Sequence, residues 1–186
     1  MKTIIKSAVM AFVMTAVATN LNAQDNVVVG GMQMYPTKNI IENAVNSKDH
    51  TTLVAAVKAA GLVEALQGAG PFTVFAPTND AFENLPAGTV ETLLKKENKD
   101  QLVSILTYHV VAGKYDSKTL EKAIKDGKGQ AKLKTLQGAE LIVSMNGPRN
   151  FVVQDGRGVK ANITIEDVNQ SNGVINVLDT VLLPGS

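Results

Sequence analysis

Thr73-Val74-Phe75-Ala76-Pro77-Thr78-Asn79-Asp80-Ala81-Phe82 is the stretch on which the fold of this 186-residue chain turns. The β-branched and aromatic residues from Phe72 to Ala76 predict a strand, with Val74 on one face and Thr73 and Phe75 on the other. Pro77 removes a donor and forces an extended exit, so the strand stops there. Thr78 or Asn79 then supplies a side-chain oxygen to open a helical turn carrying Ala81 and Phe82. A second stretch runs Asn172-Gly173-Val174-Ile175-Asn176-Val177-Leu178-Asp179-Thr180-Val181-Leu182-Leu183-Pro184. It is too apolar for a half-exposed strand and predicts a central one over 173–183, buried on both faces.

Between and before these stretches the period is helical. Ile40, Ile41, Ala44 and Val45, then Leu53, Val54, Val57 and Ala60, are spaced for one buried stripe, with Gly61 placed to cap it. Ser47 or Asp49 is a candidate cap for the second helix start. Shorter helices are expected over 62–67, 89–95, 99–107 and 118–125, the last capped by Ser117. Tyr108-His109-Val110-Val111 turns from the third of these into a strand. Beyond Gly127 the period becomes two, and strands are expected over 131–136, 140–145, 151–154 and 159–165, separated by turn chemistry such as Asn146-Gly147-Pro148 and Asp155-Gly156. Helices first and strands after is an α+β arrangement.

The first residues have a different character. Lys2 and Lys6 precede an apolar stretch over 8–18 broken only by Thr15, and a polar run ends in Ala23, the layout of a cleaved export signal over 1–23. That stretch is short for a membrane span. Residues 24–38 are expected to form an extended leader, followed by one domain over 39–184. Removing 1–23 takes away two lysines and no acid, turning a formal charge of +1 into −1, with 16 basic and 17 acidic residues. The chain has no cysteine, which excludes disulfides, thiol catalysis and cysteine-ligated metals. Aromatics at 4% and near-neutral charge exclude a stacking groove for single strands and a general nucleic-acid binder.

Three motifs, in order and in spacing, resemble the fasciclin (FAS1) domain family. The stretch from Thr73 to Phe82 resembles the family's first signature, that from Asn172 to Pro184 its second, and Tyr108-His109 its tyrosine-histidine motif. The resemblance implies a wedge-shaped β-sandwich with helices packed along one edge. It also implies secreted or surface modules of adhesion and matrix proteins, with no catalytic residues. Family members often carry histidine where this chain has Asn176, so a role resting on that imidazole is not carried over. Asp167 and Val168 fall where certain animal members have an aspartate-isoleucine pair implicated in integrin binding. Read alone, that segment is a turn before the last strand.

The remaining chemistry is sparse. His50 and His109 are the only imidazoles. Without HExxH or GxSxG spacing, neither has a recognisable catalytic or metal partner. His109 reads as a buried, hydrogen-bonded residue and His50 as a surface one near a helix start. Asp167-Val168-Asn169-Gln170-Ser171-Asn172-Gly173 has its glycine one place late for a calcium loop and Leu178 where a glutamate is needed. No cofactor motif is present. Seven lysines (114, 118, 122, 125, 128, 132 and 134) face only Asp116, Glu121 and Asp126, a local +4 against −5 for the rest of the mature chain. Helical spacing puts Lys118, Lys122 and Lys125 on one face, opposite Leu120 and Ile124, with Glu121 placed to pair with Lys125.

The expectation is therefore an exported, non-enzymatic binding or adhesion module, monomeric and either periplasmic or extracellular, whose partner is a surface protein or an anionic polysaccharide. Tyr108, His109, Asp167 and Val168 are candidate partner contacts, and Lys118, Lys122 and Lys125 a candidate patch for an anionic surface. The alternative is a soluble carrier or sensor with a small apolar cleft between sandwich and helices.

Overall fold

A computed structural model describes residues 26–185, and the expected signal over 1–23 lies outside the described residues. Within the expected leader, β1 (Val28–Val29) and β2 (Met32–Gln33) pair as a hairpin through Gly30-Gly31, and Val29 and Met34 are buried in the domain. Hence this segment is part of the core's edge, beyond the extended leader that its weak periodicity suggests.

Helix α1 (Ile40–Ala44) opens with a capping box in which Asn39 and Glu42 satisfy each other's backbone amides. The apolar stripe then breaks into a 3-10 turn (Lys48–His50) and α2 (Thr51–Ala60), which Gly61 closes at φ +75°. Neither Ser47 nor Asp49 caps α2. Asn79, 27 residues on, accepts from Thr52 N at 3.0 Å and takes that role from across the fold. Helix α3 (Val63–Gln67) leads into β3 (Phe72–Pro77), and Thr78 caps α4 (Asn79–Glu83) by accepting from Ala81 N. Helices α5 (Thr89–Leu93) and α6 (Lys99–Tyr108) follow, then β4 (Val110–Ala112) and α7 (Ser117–Asp126). The cap of α7 is Asp116, which accepts from Thr119 N, so Ser117 is its first helical residue and free for another partner.

Strands β5 (Gln130–Lys134), β6 (Glu140–Met145), β7 (Phe151–Gln154), β8 (Lys160–Gln170) and β9 (Gly173–Leu178) complete the chain. The sheet order is β4-β3-β9-β8-β7-β6-β5, all neighbours antiparallel except β3 and β9. A bridge between Val111 and Thr135, with Leu136 N donating to Val110 O at 2.7 Å, brings the two edges together. The sheet is a sandwich close to a barrel, and helices α1 to α6 pack along one side: the α+β wedge that the motifs imply.

Strand β9 is buried at every position, as its composition predicts, but it ends at Leu178 and not at Leu183. The reason is local. Asp179 accepts from Asn162 N and Nδ2, while the amides of Leu182 and Leu183 go to side chains instead of a ladder. At the other end, a Cβ on Gly173 would lie 2.0 Å from Phe72 O, so the parallel register with β3 requires glycine. Alternation along β3 and β9 separates two cores. Val74, Ala76, Ile175 and Val177 face the helices, whereas Phe75 and Leu178 face the interior of the near-barrel.

Candidate interaction face

Tyr108 and His109 end α6 and point into the protein. Tyr108 is 0% exposed, its hydroxyl donating to Glu140 O at 3.0 Å and accepting from Gly156 N at 2.8 Å. Burial, first of all, raises its pKa. His109 Nδ1 lies 2.9 Å from Ile105 O, and Nε2 accepts from Leu182 N at 3.0 Å. That pairing fixes the tautomer, with the proton on Nδ1. Desolvation lowers the His109 pKa to about 4, against smaller opposing effects of the Ile105 carbonyl and Asp155. Asp155 takes the next amide, Leu183 N, at 3.0 Å. The tyrosine-histidine pair thus staples the end of the second signature to α6 and leaves no ring nitrogen free for acid-base work.

Asp167 is not in a turn before the last strand. It lies within β8, where the register against β9 slips by one residue between Ile165 and Val168, and it adopts φ +58°. Such a bulge re-aims a side chain. Asp167 accepts from Ser117 N at 2.6 Å and from Ser117 Oγ at 2.5 Å, which places a carboxylate at the start of α7. Opposite the bulge, Asn176 Oδ1 accepts from Asp167 N at 3.2 Å and Asn176 Nδ2 donates to Tyr115 O at 3.4 Å. Thr73 Oγ1 donates to Gly113 O and accepts from Tyr115 N, both at 2.8 Å. Thr73, Asn176, Asp167 and Ser117 therefore form one polar joint that locks the loop before α7 to both signatures. Where family members often have histidine, the amide of Asn176 supplies one acceptor and one donor. Val168, beside Asp167, is 1% exposed and belongs to the helical core.

What this joint holds in place is the lysine face. Leu120 and Ile124 are buried against the near-barrel core, and Lys118, Lys122 and Lys125 are exposed on the opposite side of α7. Lys132 and Lys134 extend the positive surface along the outer face of the edge strand β5, and Lys114 and Lys128 flank the helix. The ion pair on α7 is Lys122 with Asp126 at 2.5 Å, in place of the expected Glu121 and Lys125. Glu121 instead lies near Glu166, whose pKa is raised by burial first, then by Asp167 and Glu121, with Arg149 opposing.

His50 departs from expectation. It is 3% exposed, turned inward by the 3-10 turn, with Nδ1 2.9 Å from Ser47 Oγ. The joint around Asn176 was likewise not legible as a unit, because its members are separated by up to a hundred residues and meet only through the β3–β9 pairing.

The near-barrel wedge with flanking helices is the fold that the fasciclin resemblance implies. The structure of a FAS1 domain pair from the insect cell adhesion molecule Fasciclin I superposes with a TM-score of 0.69 at 20% identity, covering 78% of this chain and 51% of that one. A family model described as the Fasciclin domain matches residues 48–184, and the chain belongs to that family. Protein sll1483 of Synechocystis sp. is 51% identical over 78% of this chain and 73% of its own length. Cell surface glycolipoprotein MPB83 of Mycobacterium bovis is 37% identical over 84% and 64%, respectively. Transforming growth factor-beta-induced protein ig-h3 of Sus scrofa is 40% identical over 71% of this chain, which spans only 17% of that protein. Among the described residues no helix is long and apolar enough to cross a membrane.

Proposed function

We propose that this chain is an exported, non-enzymatic binding module of the adhesion type that meets anionic polymers of a cell surface or matrix through the lysine face of α7 and β5. The observation that carries this reading is the exposure of all seven lysines over residues 114–134, on and around α7, whose start the Asp167 joint ties to the sheet, and on strand β5. The names of the relatives, a cell surface glycolipoprotein and a cell adhesion molecule, support the same setting. Attraction of this kind is long-ranged at low salt and weakens as the Debye length shrinks.

The test is retention of the mature chain on a heparin column across a salt gradient. The variant K118E/K122E/K125E should elute at clearly lower salt while keeping its circular dichroism and melting curve. Unchanged retention sinks the assignment.

A further inference from the structure

The helical core contains a cavity of about 50 Å³ between α1, α2 and β3. A water needs roughly 10–15 Å³ of such volume, so a small organic molecule of a few heavy atoms fits without any movement. Its wall is aliphatic, with Ile40, Ile41, Leu53, Val57 and Ile175 prominent. Ser47, Lys58 and His109 also line it, and His50 stands apart from them. It lines the cavity, it is 3% exposed, and its Nε2 has no partner in hydrogen-bond geometry among the described residues, although the Ala76 carbonyl acts on the ring. Buried polar atoms are normally paired, and a lone one on an apolar wall calls for an explanation. Burial lowers the His50 pKa, only partly offset by the Ala76 carbonyl and Asp49, so the ring presented at neutral pH carries no charge. Neutral imidazole can donate to a carbonyl or accept from a hydroxyl.

The N-terminal hairpin closes one side of this cavity. Val29 and Met34 of the N-terminal hairpin contribute to its wall. Among the described residues, the hairpin's backbone hydrogen bonds are internal, such as Met34 N to Val27 O at 2.8 Å, and the first tie to the body is the exchange between Tyr35 and Asn43. The hairpin turn rests directly on the segment that carries His50. A Cβ on Gly30 would lie 2.7 Å from the backbone nitrogens of both Lys48 and Asp49. Few hydrogen bonds to the body are one feature of a segment that opens locally.

We infer that this cavity is a binding site for a small neutral aliphatic molecule bearing one hydroxyl or carbonyl group, which places its hydrocarbon against Ile40, Leu53 and Val57 and its polar group on His50 Nε2. Larger members of that class enter by displacing the β1–β2 hairpin. The inference is independent of the lysine face, which lies on the other core.

The experiment is a methyl-resolved NMR titration of the mature chain with 1-hexanol, n-hexane and hexanoate as probes. Saturable shifts confined to methyls of the cavity wall (Ile40, Ile41, Leu53 and Val57), to Val29 and Met34 of the displaced hairpin, and to the His50 ring are expected. Hexanol should bind about tenfold more tightly than hexane, the ratio set by one recovered hydrogen bond. His50→Phe should remove that preference and leave hexane binding in place. Ala44→Leu, at a half-buried helix position on the cavity wall, should weaken all three probes and serves if the histidine variant does not fold. Non-saturable shifts spread over the surface overturn the site. Equal binding of hexanol and hexane overturns the role of His50, as does tighter binding of hexanoate, which would put the polar group on Lys58 at the exposed rim.

Discussion

The two faces of β3 and β9 support two cores that solve the same packing problem differently. Inside the near-barrel, Phe75, Tyr108, Leu120, Leu141 and Leu178 are almost wholly buried, and the tyrosine that ends α6 has its hydroxyl bonded twice. On the helical side, Val74, Ile175, Leu53 and Val57 surround a cavity lined by two histidines, of which His109 has both ring nitrogens bonded and His50 has Nδ1 bonded and Nε2 without a partner in hydrogen-bond geometry. A sheet closing on itself brings side chains in from all around at fixed spacing, so gaps are few. Helices of five to ten residues joined by turns each present only a few side chains to the sheet, and a cavity remains between them. The difference shows where this domain is rigid and where it can accept something.

Identical deletions on the two sides give the largest test of that contrast. Leu141→Ala should cost about 4–5 kcal/mol, near the top of the usual range, because nothing in a closed barrel can relax into the hole. Leu53→Ala, which only enlarges an existing cavity, should cost about 2–3 kcal/mol. Urea unfolding midpoints measure both, and equal costs would remove the distinction between the cores.

Acid sharpens it next. The unfolded chain takes up a proton on His109 near pH 6.5, whereas the folded chain resists until about pH 4. Above 6.5 both states are neutral and this contribution to stability is full. It is lost as pH falls from 6.5 to 4, by on the order of 3 kcal/mol, since the unfolded state then binds the extra proton. His50 shifts in the same direction, so His109→Gln should flatten the profile of melting temperature against pH without abolishing it. An unaltered slope in that variant would mean that another group governs acid unfolding.

The polar joint should respond more modestly. Asp167→Ala removes the acceptor of two Ser117 donors and leaves a non-glycine residue at φ +58°, for a cost of about 1–2 kcal/mol. Asp167→Asn keeps an acceptor and tolerates that backbone, so it should recover most of the loss. Hydrogen exchange should locate the effect in the first turn of α7. Faster exchange spread evenly over both cores would show that the joint supports the whole domain and not that helix.

Much of this was legible in the sequence because it is written in local patterns. The alternation in Thr73 to Phe75 separates the two cores, and the apolar run after Gly173 predicts a strand buried on both faces. His109 as a satisfied buried residue followed from its place after an apolar helix face. Other features depend on partners far along the chain. Asn79 caps α2 across 27 residues, and Asp167 reaches Ser117 across 50 only because β8 bulges. No period in the sequence marks a bulge. His50 escapes prediction for a related reason: its turn is short and polar, and the hairpin that packs on that turn has too little pattern to predict.

The smallest effect belongs to the lysine face itself. Lys122 and Asp126 are paired at 2.5 Å, but their side chains are 77% and 63% exposed. In that setting water and salt screen the attraction, and ordering two mobile side chains cancels much of what remains. Asp126→Ala should therefore leave the melting temperature unchanged within error, in contrast to every substitution in the two cores. A drop of several degrees would show that the pair anchors the end of α7 and that the face is structural. Stability indifferent to its charges is what an interaction surface requires, since the same lysines can then be reversed in sign and any change in heparin retention read as a change in binding.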